Sequence, residues 1–282
     1  MMKFRKALPI LLLVCSVVSC NVEGVKKEKK IQLQSDLNRT ESKNKSLAPT
    51  QIVNNLKFKN GLKISWFKHG KGDLITEEDV VKINYQVFLE NGNLVDGNEL
   101  LNRDFLPFLV GYGMQTPGWD MAMKHLKVGD FVEIFLPAKL ARGKFGVKGL
   151  IPPNSNNIIR LKILGKINPT KKIDGVKVWL LEENTTETVK AQETNTIDFH
   201  YMVGTKSNPK YDMSYRRGVP FRMRFSDHGI VSGLKKALVG VKRSDKVWIL
   251  VPPNEAYGKK GLLDLVKPNE KMFYDIFIVE VL

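Results

Sequence analysis

From about residue 56 onward, apolar side chains recur at every second position in short runs. Ile83, Tyr85, Val87 and Leu89 alternate with polar or outward positions, and Ile159, Leu161 and Ile163 do the same later in the block. A period of two turns alternate side chains to one face, so these runs predict half-buried strands. Asn91-Gly92, set between apolar runs, predicts a hairpin turn. A short helix is predicted over residues 119–126, following Pro117-Gly118.

The pattern then recurs. Ile197, Phe199, Tyr201 and Val203 alternate as the first block does, and Val247, Ile249 and Val251 form another strand. The last strand sets Ile276, Ile278 and Glu280 on one face and Phe277, Val279 and Val281 on the other, and a second short helix is predicted over 234–239, after Gly233. Spacing supports the repeat. Tyr85, Gly118 and Gly143 are 33 and 25 residues apart, and Tyr201, Gly233 and Gly258 are 32 and 25 apart. Self-similarity over so long a period means two related domains rather than a solenoid. The domains are expected over residues 56–168 and 172–282, with the polar, proline-containing stretch 168–172 as the seam. A length of 282 residues suits two domains of ordinary size, and 43% apolar content is enough for their cores.

Ahead of these blocks the character changes. Lys3, Arg5 and Lys6 form a positive n-region, and residues 7–18 are mostly apolar but too short to span a bilayer. Val17-Val18-Ser19-Cys20 resembles a bacterial lipobox, in which the cysteine is lipid-modified and becomes the new N-terminus. The alternative is an ordinary secretory signal with a chance cysteine. On the lipobox reading residues 1–19 are a signal peptide, Cys20 carries lipid, and the chain is an exported lipoprotein held at a membrane, on its periplasmic face or at the cell surface. Cys15, the other cysteine, lies in the cleaved segment, so neither a disulfide nor a free thiol would remain. Residues 20–55 are rich in Lys, Asn, Ser, Gln and Thr and read as a flexible tether. Lys26, Lys27, Lys29 and Lys30 either touch anionic headgroups there or are solvated. The formal net charge of +16 favours anionic partners. Nucleic acid fits that charge but not the export signal and is not expected.

Motifs shared by the two blocks carry a family resemblance. Val81-Lys82-Ile83-Asn84-Tyr85, the Asn91-Gly92 turn, Asp96, Pro117-Gly118-Trp119, Val128-Gly129-Asp130 and Gly149-Leu150-Ile151-Pro152-Pro153-Asn154 resemble, in order, the FKBP-type peptidyl-prolyl isomerases. The second block matches at His200-Tyr201, Tyr211-Asp212-Met213-Ser214, Pro220-Phe221, Val251-Pro252-Pro253 and Ala256-Tyr257-Gly258. The resemblance implies an α+β fold in each block, an antiparallel sheet wrapped around one short helix, which the strand and helix pattern fits independently. It also implies an apolar cup between helix and sheet that accepts a proline ring. An Xaa-Pro amide rotates over a barrier of roughly 18–20 kcal/mol because rotation breaks resonance, and uncatalysed this takes about 10–100 s. No bond is made or broken. Apolar walls and exclusion of water favour the twisted amide, and positioned hydrogen bonds hold the substrate in a turn. No metal or cofactor is implied, and His69, His125, His200 and His228 are isolated, without ligand spacing.

Carried over residue by residue, the family's pocket in the first block maps to Tyr85, Asp96, Thr116, Trp119, Leu150, Ile151 and Ile159. Trp119 is the floor, Asp96 the polar edge, and the backbone N–H near Thr116 a donor to substrate. In the second block it maps to Tyr201, Tyr211, Asp212, Phe221, Val231, Leu234, Tyr257 and Tyr274, with the Tyr257 hydroxyl as a donor. The catalytic set is Tyr85 and Asp96 in one block and Tyr201, Asp212 and Tyr257 in the other. There are departures. Arg142 replaces the family tyrosine kept as Tyr257, Val95 and Ile159 replace aromatic walls, Leu234 replaces the floor tryptophan, and Lys267-Pro268 replaces a proline pair. One extra residue between Asp96 and Gly118 leaves Phe105 and Leu106 as alternative wall positions. The loops over 142–150 and 258–266 are too short for an inserted chaperone domain. The implied partners are Xaa-Pro segments of exported or envelope proteins. A second reading keeps the fold without useful catalysis, as a module gripping proline-containing or extended segments. Tyr85, Trp119, Tyr201 and Phe221 also suit an ordinary core.

Overall fold

The computed structural model describes residues 51–282. The signal segment, Cys20 and the lysines of the tether lie outside the described residues. Chain contacts define two compact units, one holding Ile83–Leu106 and Gln115–Ile163 together with the strands before Asp73, the other holding Leu164–Leu282, Leu74–Lys82 and Pro107–Met114.

The first sheet is built from β1 (Asn54–Lys57), β2 (Lys63–Lys68), β3 (Val80–Leu89), β4 (Leu94–Gly97), β5 (Leu106–Leu109), β6 (Phe131–Leu136) and β7 (Asn157–Lys166), with helix α1 at Pro117–Met123. Its strand order is β1-β2-β6-β7-β3-β4, and β5 also pairs with β3. The second sheet contains β8 (Lys171–Ile173), β9 (Val176–Glu182), β10 (Thr196–Thr205), β11 (Asp212–Met213), β12 (Phe221–Arg224), β13 (Lys246–Val251) and β14 (Met272–Val281), with α2 at Ser232–Leu238. Its order is β8-β9-β13-β14-β10-β11, and β12 also pairs with β10. The two orders match strand for strand, so the repeat read from residue spacing is a repeat of topology. Both sheets are antiparallel, and the α+β reading, one sheet and one short helix per block, holds.

Alternation fixes the cores. Ile197, Phe199, Val247, Ile249, Ile276 and Ile278 are buried in the second unit, and Ile64, Val132, Ile134 and Leu161 in the first. Strand edges differ slightly from expectation. β1 begins at Asn54, inside the stretch read as tether, and β8 begins at Lys171, one residue before the expected domain start at 172. Both strands are short and carry lysine, so they show little alternation. The helices begin two residues before the expected 119 and 234. Pro117 suits the first helical turn because its φ is preset and its missing N–H would have no partner there. The first helix also ends early. His125 and Leu126 donate to Ala122 and Met123 in i→i−3 bonds, a tighter turn than an α-helix.

The repeated glycines have a packing reason. A Cβ on Gly118 would meet Leu136 Cδ2 at 2.6 Å, and one on Gly233 would meet Val251 Cγ1 at 2.4 Å. Glycine at the helix start therefore lets each helix press against its sheet, and this closeness forms one side of the cup.

Candidate functional site

In the second unit a cavity of about 410 Å³ lies among α2, strands β10, β12 and β14, and the segment after β13. Pleating turns Phe199, Tyr201 and Val203 of β10 to the same side, and all three line it. Tyr211, Asp212 and Phe221 come from β11, its flank and β12, while Val231 and Leu234 come from the start of α2. Tyr257 and Tyr274 complete the wall. The structure thus brings together all eight second-block positions. Leu234 is nearly buried at the floor.

The sequence reading placed Phe199 and Val203 only in a strand, and it missed five further wall residues: Gly229, Ile230, Leu262, Leu265 and Met272. Leu265 lies seven residues after Gly258, as Leu150 lies seven after Gly143, so the repeat spacing carried a signal for it. Arg217 was also missed. Its Nη1 donates to Asp212 Oδ1 at 2.8 Å and its Nη2 to the Tyr201 hydroxyl at 2.7 Å. The Tyr201 hydroxyl in turn donates to Asp212 Oδ2 at 2.5 Å. The three groups form a closed ring of charge-assisted bonds at the cavity edge. Behind it, Ser214 Oγ accepts the Tyr201 backbone N–H at 2.8 Å. Asn98 Oδ1 accepts that of Tyr85 at 2.8 Å. Each acceptor stands two residues after the pocket aspartate, a shared device for seating the tyrosine.

In the first unit Tyr85 and Trp119 meet edge to face, with ring centroids 5.2 Å apart. They are 3% and 4% exposed. The Tyr85 hydroxyl hydrogen-bonds Asp96. Thr116 stands at the N-cap of α1, its hydroxyl buried without a partner. Ile151 is buried and Leu150 exposed. Ile159, expected as a pocket wall, is fully buried on β7 opposite Ile134 and presents no surface to a ligand. Its counterpart in the second unit, Tyr274, lines the cavity. The Phe105–Leu106 ambiguity resolves to Leu106. Leu106 opens β5 as Phe221 opens β12, and each lies 12 residues before its helix glycine. Phe105 is exposed.

Comparison with known proteins agrees with this geometry. The FKBP-type peptidyl-prolyl cis-trans isomerase family matches twice, over residues 72–164 and 187–279. The chain belongs to this family. Peptidyl-prolyl cis-trans isomerase FKBP10 of Mus musculus is 26% identical over 204 residues, 72% of this chain and 34% of its own length. The FKBP-type isomerase FkpA of Buchnera aphidicola is 30% identical over 154 residues, 51% of this chain and 59% of that protein. The chain spans about a third of the length of the FKBP10 relatives it matches. Among solved structures, the three FKBP domains of wheat FKBP73 are 21% identical, cover 79% of this chain and 96% of theirs, and give a TM-score of 0.40.

The two matched aspartates sit in different electrostatic surroundings. Burial works to raise the Asp212 carboxyl, but hydrogen bonds from Tyr201 and Arg217 and the arginine charge outweigh it and hold Asp212 below the usual carboxylate range. At Asp96 burial wins. The bonds from Gly97 and Tyr85 and the charge of Arg142 do not offset it, and the carboxyl titrates above its ordinary value. Burial also raises the phenols of Tyr211, Tyr257 and Tyr274, which keeps them neutral and able to donate near pH 7. Among the described residues no group of three or more His, Cys, Asp or Glu is placed to hold a metal. None of the described helices is long and apolar enough to cross a membrane.

Proposed function

We propose that this FKBP-family chain is a peptidyl-prolyl cis-trans isomerase, working chiefly through its second unit on Xaa-Pro segments of exported or envelope proteins. The observation that carries this reading is the cavity lined by Tyr201, Asp212, Phe221, Leu234, Tyr257 and Tyr274. Its volume suits a proline ring and its neighbours. Its walls are aromatic and aliphatic, and its polar groups are concentrated in Asp212 and the tyrosine hydroxyls. Such a site strips water from the Xaa-Pro amide, which favours the twisted form because that form separates less charge. Neutral Tyr257 supplies a donor for a substrate carbonyl. No step needs a nucleophile or an acid with a tuned pKa.

NMR exchange spectroscopy on an Ala-Pro peptide with the full chain tests this. Cis–trans exchange far faster than the uncatalysed rate is expected. Peptide shifts that titrate without any acceleration would refute the enzyme and leave a binding module. That second reading has its own support in the first unit, where Tyr85 and Trp119 close against each other and Arg142 stands in place of a phenol.

The chain's place of action is part of the proposal. It is held at a membrane by lipid on Cys20, with the residues between Cys20 and β1 as the tether. Fatty-acid labelling of the exported chain should disappear in Cys20→Ser; label that persists in the variant rules the anchor out.

A further inference from the structure

We infer that the first unit's pocket selects proline segments carrying an acidic residue next to the proline, and that Arg142 sets this preference. The inference rests on the reading that the cup accepts a proline.

Position comes first. Arg142 and Tyr257 each follow a short 3-10 turn, Ala138–Leu140 in one unit and Pro253–Glu255 in the other. Each immediately precedes a glycine with φ +56°. The backbone therefore delivers a guanidinium in the first unit where it delivers a phenol in the second. The charge is felt inside the cup, since Arg142 acts electrostatically on both Asp96 and Tyr85.

Partnering comes next. In the second unit Arg217 is committed to Asp212 and Tyr201. Among the described residues the Arg142 side chain has one hydrogen bond, from Nη2 to Gln115 Oε1 at 3.3 Å. Among the described residues no carboxylate forms an ion pair with it. A guanidinium carries five N–H donors in a planar fork that matches a carboxylate, so most of its capacity is unspent. A half-buried cation in this state gains more from an incoming carboxylate than a fully solvated one would.

The neighbouring sequence agrees. No acidic residue occurs between Glu133 and Asp174, a stretch that includes Arg142, Lys144 and Lys148, whereas the matching second-unit loop carries Asp264 and Glu270. Lys144 and Lys148 are exposed. Thr116 adds an independent observation. Its hydroxyl is buried without a partner, while its counterpart at the α2 N-cap is Val231. An unpaired buried hydroxyl is costly. At two matched positions, then, the first unit carries more hydrogen-bond donors than the second.

The test titrates the full chain with capped peptides that differ only in Glu-Pro, Gln-Pro or Lys-Pro. The Trp119 indole N–H reports the first unit and the Leu234 amide the second. At Trp119, Glu-Pro is expected to bind about three- to tenfold tighter than its isostere Gln-Pro, and Lys-Pro weaker than either. The gap should shrink in molar salt, where the Debye length is about 3 Å. Arg142→Gln should remove the difference between Glu-Pro and Gln-Pro, and Arg142→Lys should retain part of it. Leu234 should show no such ordering. Equal affinity for Glu-Pro and Gln-Pro at Trp119, or a preference that survives Arg142→Gln, overturns the inference alone. If no peptide moves either reporter, the proposed function fails with it.

Discussion

Asp212→Ala is expected to lower the rate of prolyl exchange at the second pocket by tenfold or more, measured as kcat/KM on an Ala-Pro peptide. Tenfold corresponds to about 1.4 kcal/mol of lost transition-state stabilisation. The carboxylate accepts from the Tyr201 hydroxyl and from Arg217, and these two also bond each other. Removing it leaves a tyrosine hydroxyl at an apolar edge without its acceptor and an arginine, half exposed at 48%, free to swing into water. The wall formed by Tyr201 then loses its fixed orientation. Tyr201→Phe is expected to cost less, because the Asp212–Arg217 pair survives it. Asp212→Asn should fall between the two, keeping an acceptor but losing the charge. Wild-type kcat/KM in Asp212→Ala would mean that catalysis does not pass through this edge.

The charged ring also illustrates what sequence reading reached. Tyr201 and Asp212 were legible through the family resemblance of His200-Tyr201 and Tyr211-Asp212, and their separation of 11 residues repeats that of Tyr85 and Asp96. Arg217 was not, because it sits five residues past Asp212 in a loop rich in basic residues, where nothing distinguishes it from Arg216. Long alternating runs such as residues 83–89 and 197–203 announced their strands. β1, β8 and β11 did not, since two to four residues cannot display a period. The helices were found but placed two residues late, because the apolar signal starts at Trp119 and Leu234 while the backbone turns earlier, at Pro117 and Ser232. Ile159 marks a deeper limit. The resemblance located the position, but it could not show that the isoleucine there is fully buried.

The relation between core and cup leads to the largest stability effect. Phe199→Ala should destabilise the second unit by about 3–5 kcal/mol, the usual range for deleting a buried phenylalanine ring. Phe199 is 1% exposed and packs with Ile197, Ile276 and Ile278 beneath the sheet. Its ring centroid lies 5.6 Å from Phe221 and 6.1 Å from Tyr201, both at tilted angles, and Tyr201 and Phe221 meet at 5.9 Å. Phe199 and Phe221 are also register partners across β10 and β12. One ring thus fills the core and backs two cavity walls. Phe221→Ala removes a half-buried ring from a short edge strand, so the cavity it leaves opens toward water and its stability cost should be smaller. Amide hydrogen exchange along β10, β13 and β14 reads this difference directly, because their ladder bonds open only when the unit's core does. Both variants should bind proline peptides more weakly, but only Phe199→Ala should also lose protection across these strands. Equal protection in the two variants would mean that Phe199 belongs to the pocket and not to the core, and that the cup does not draw its rigidity from the packing beneath it.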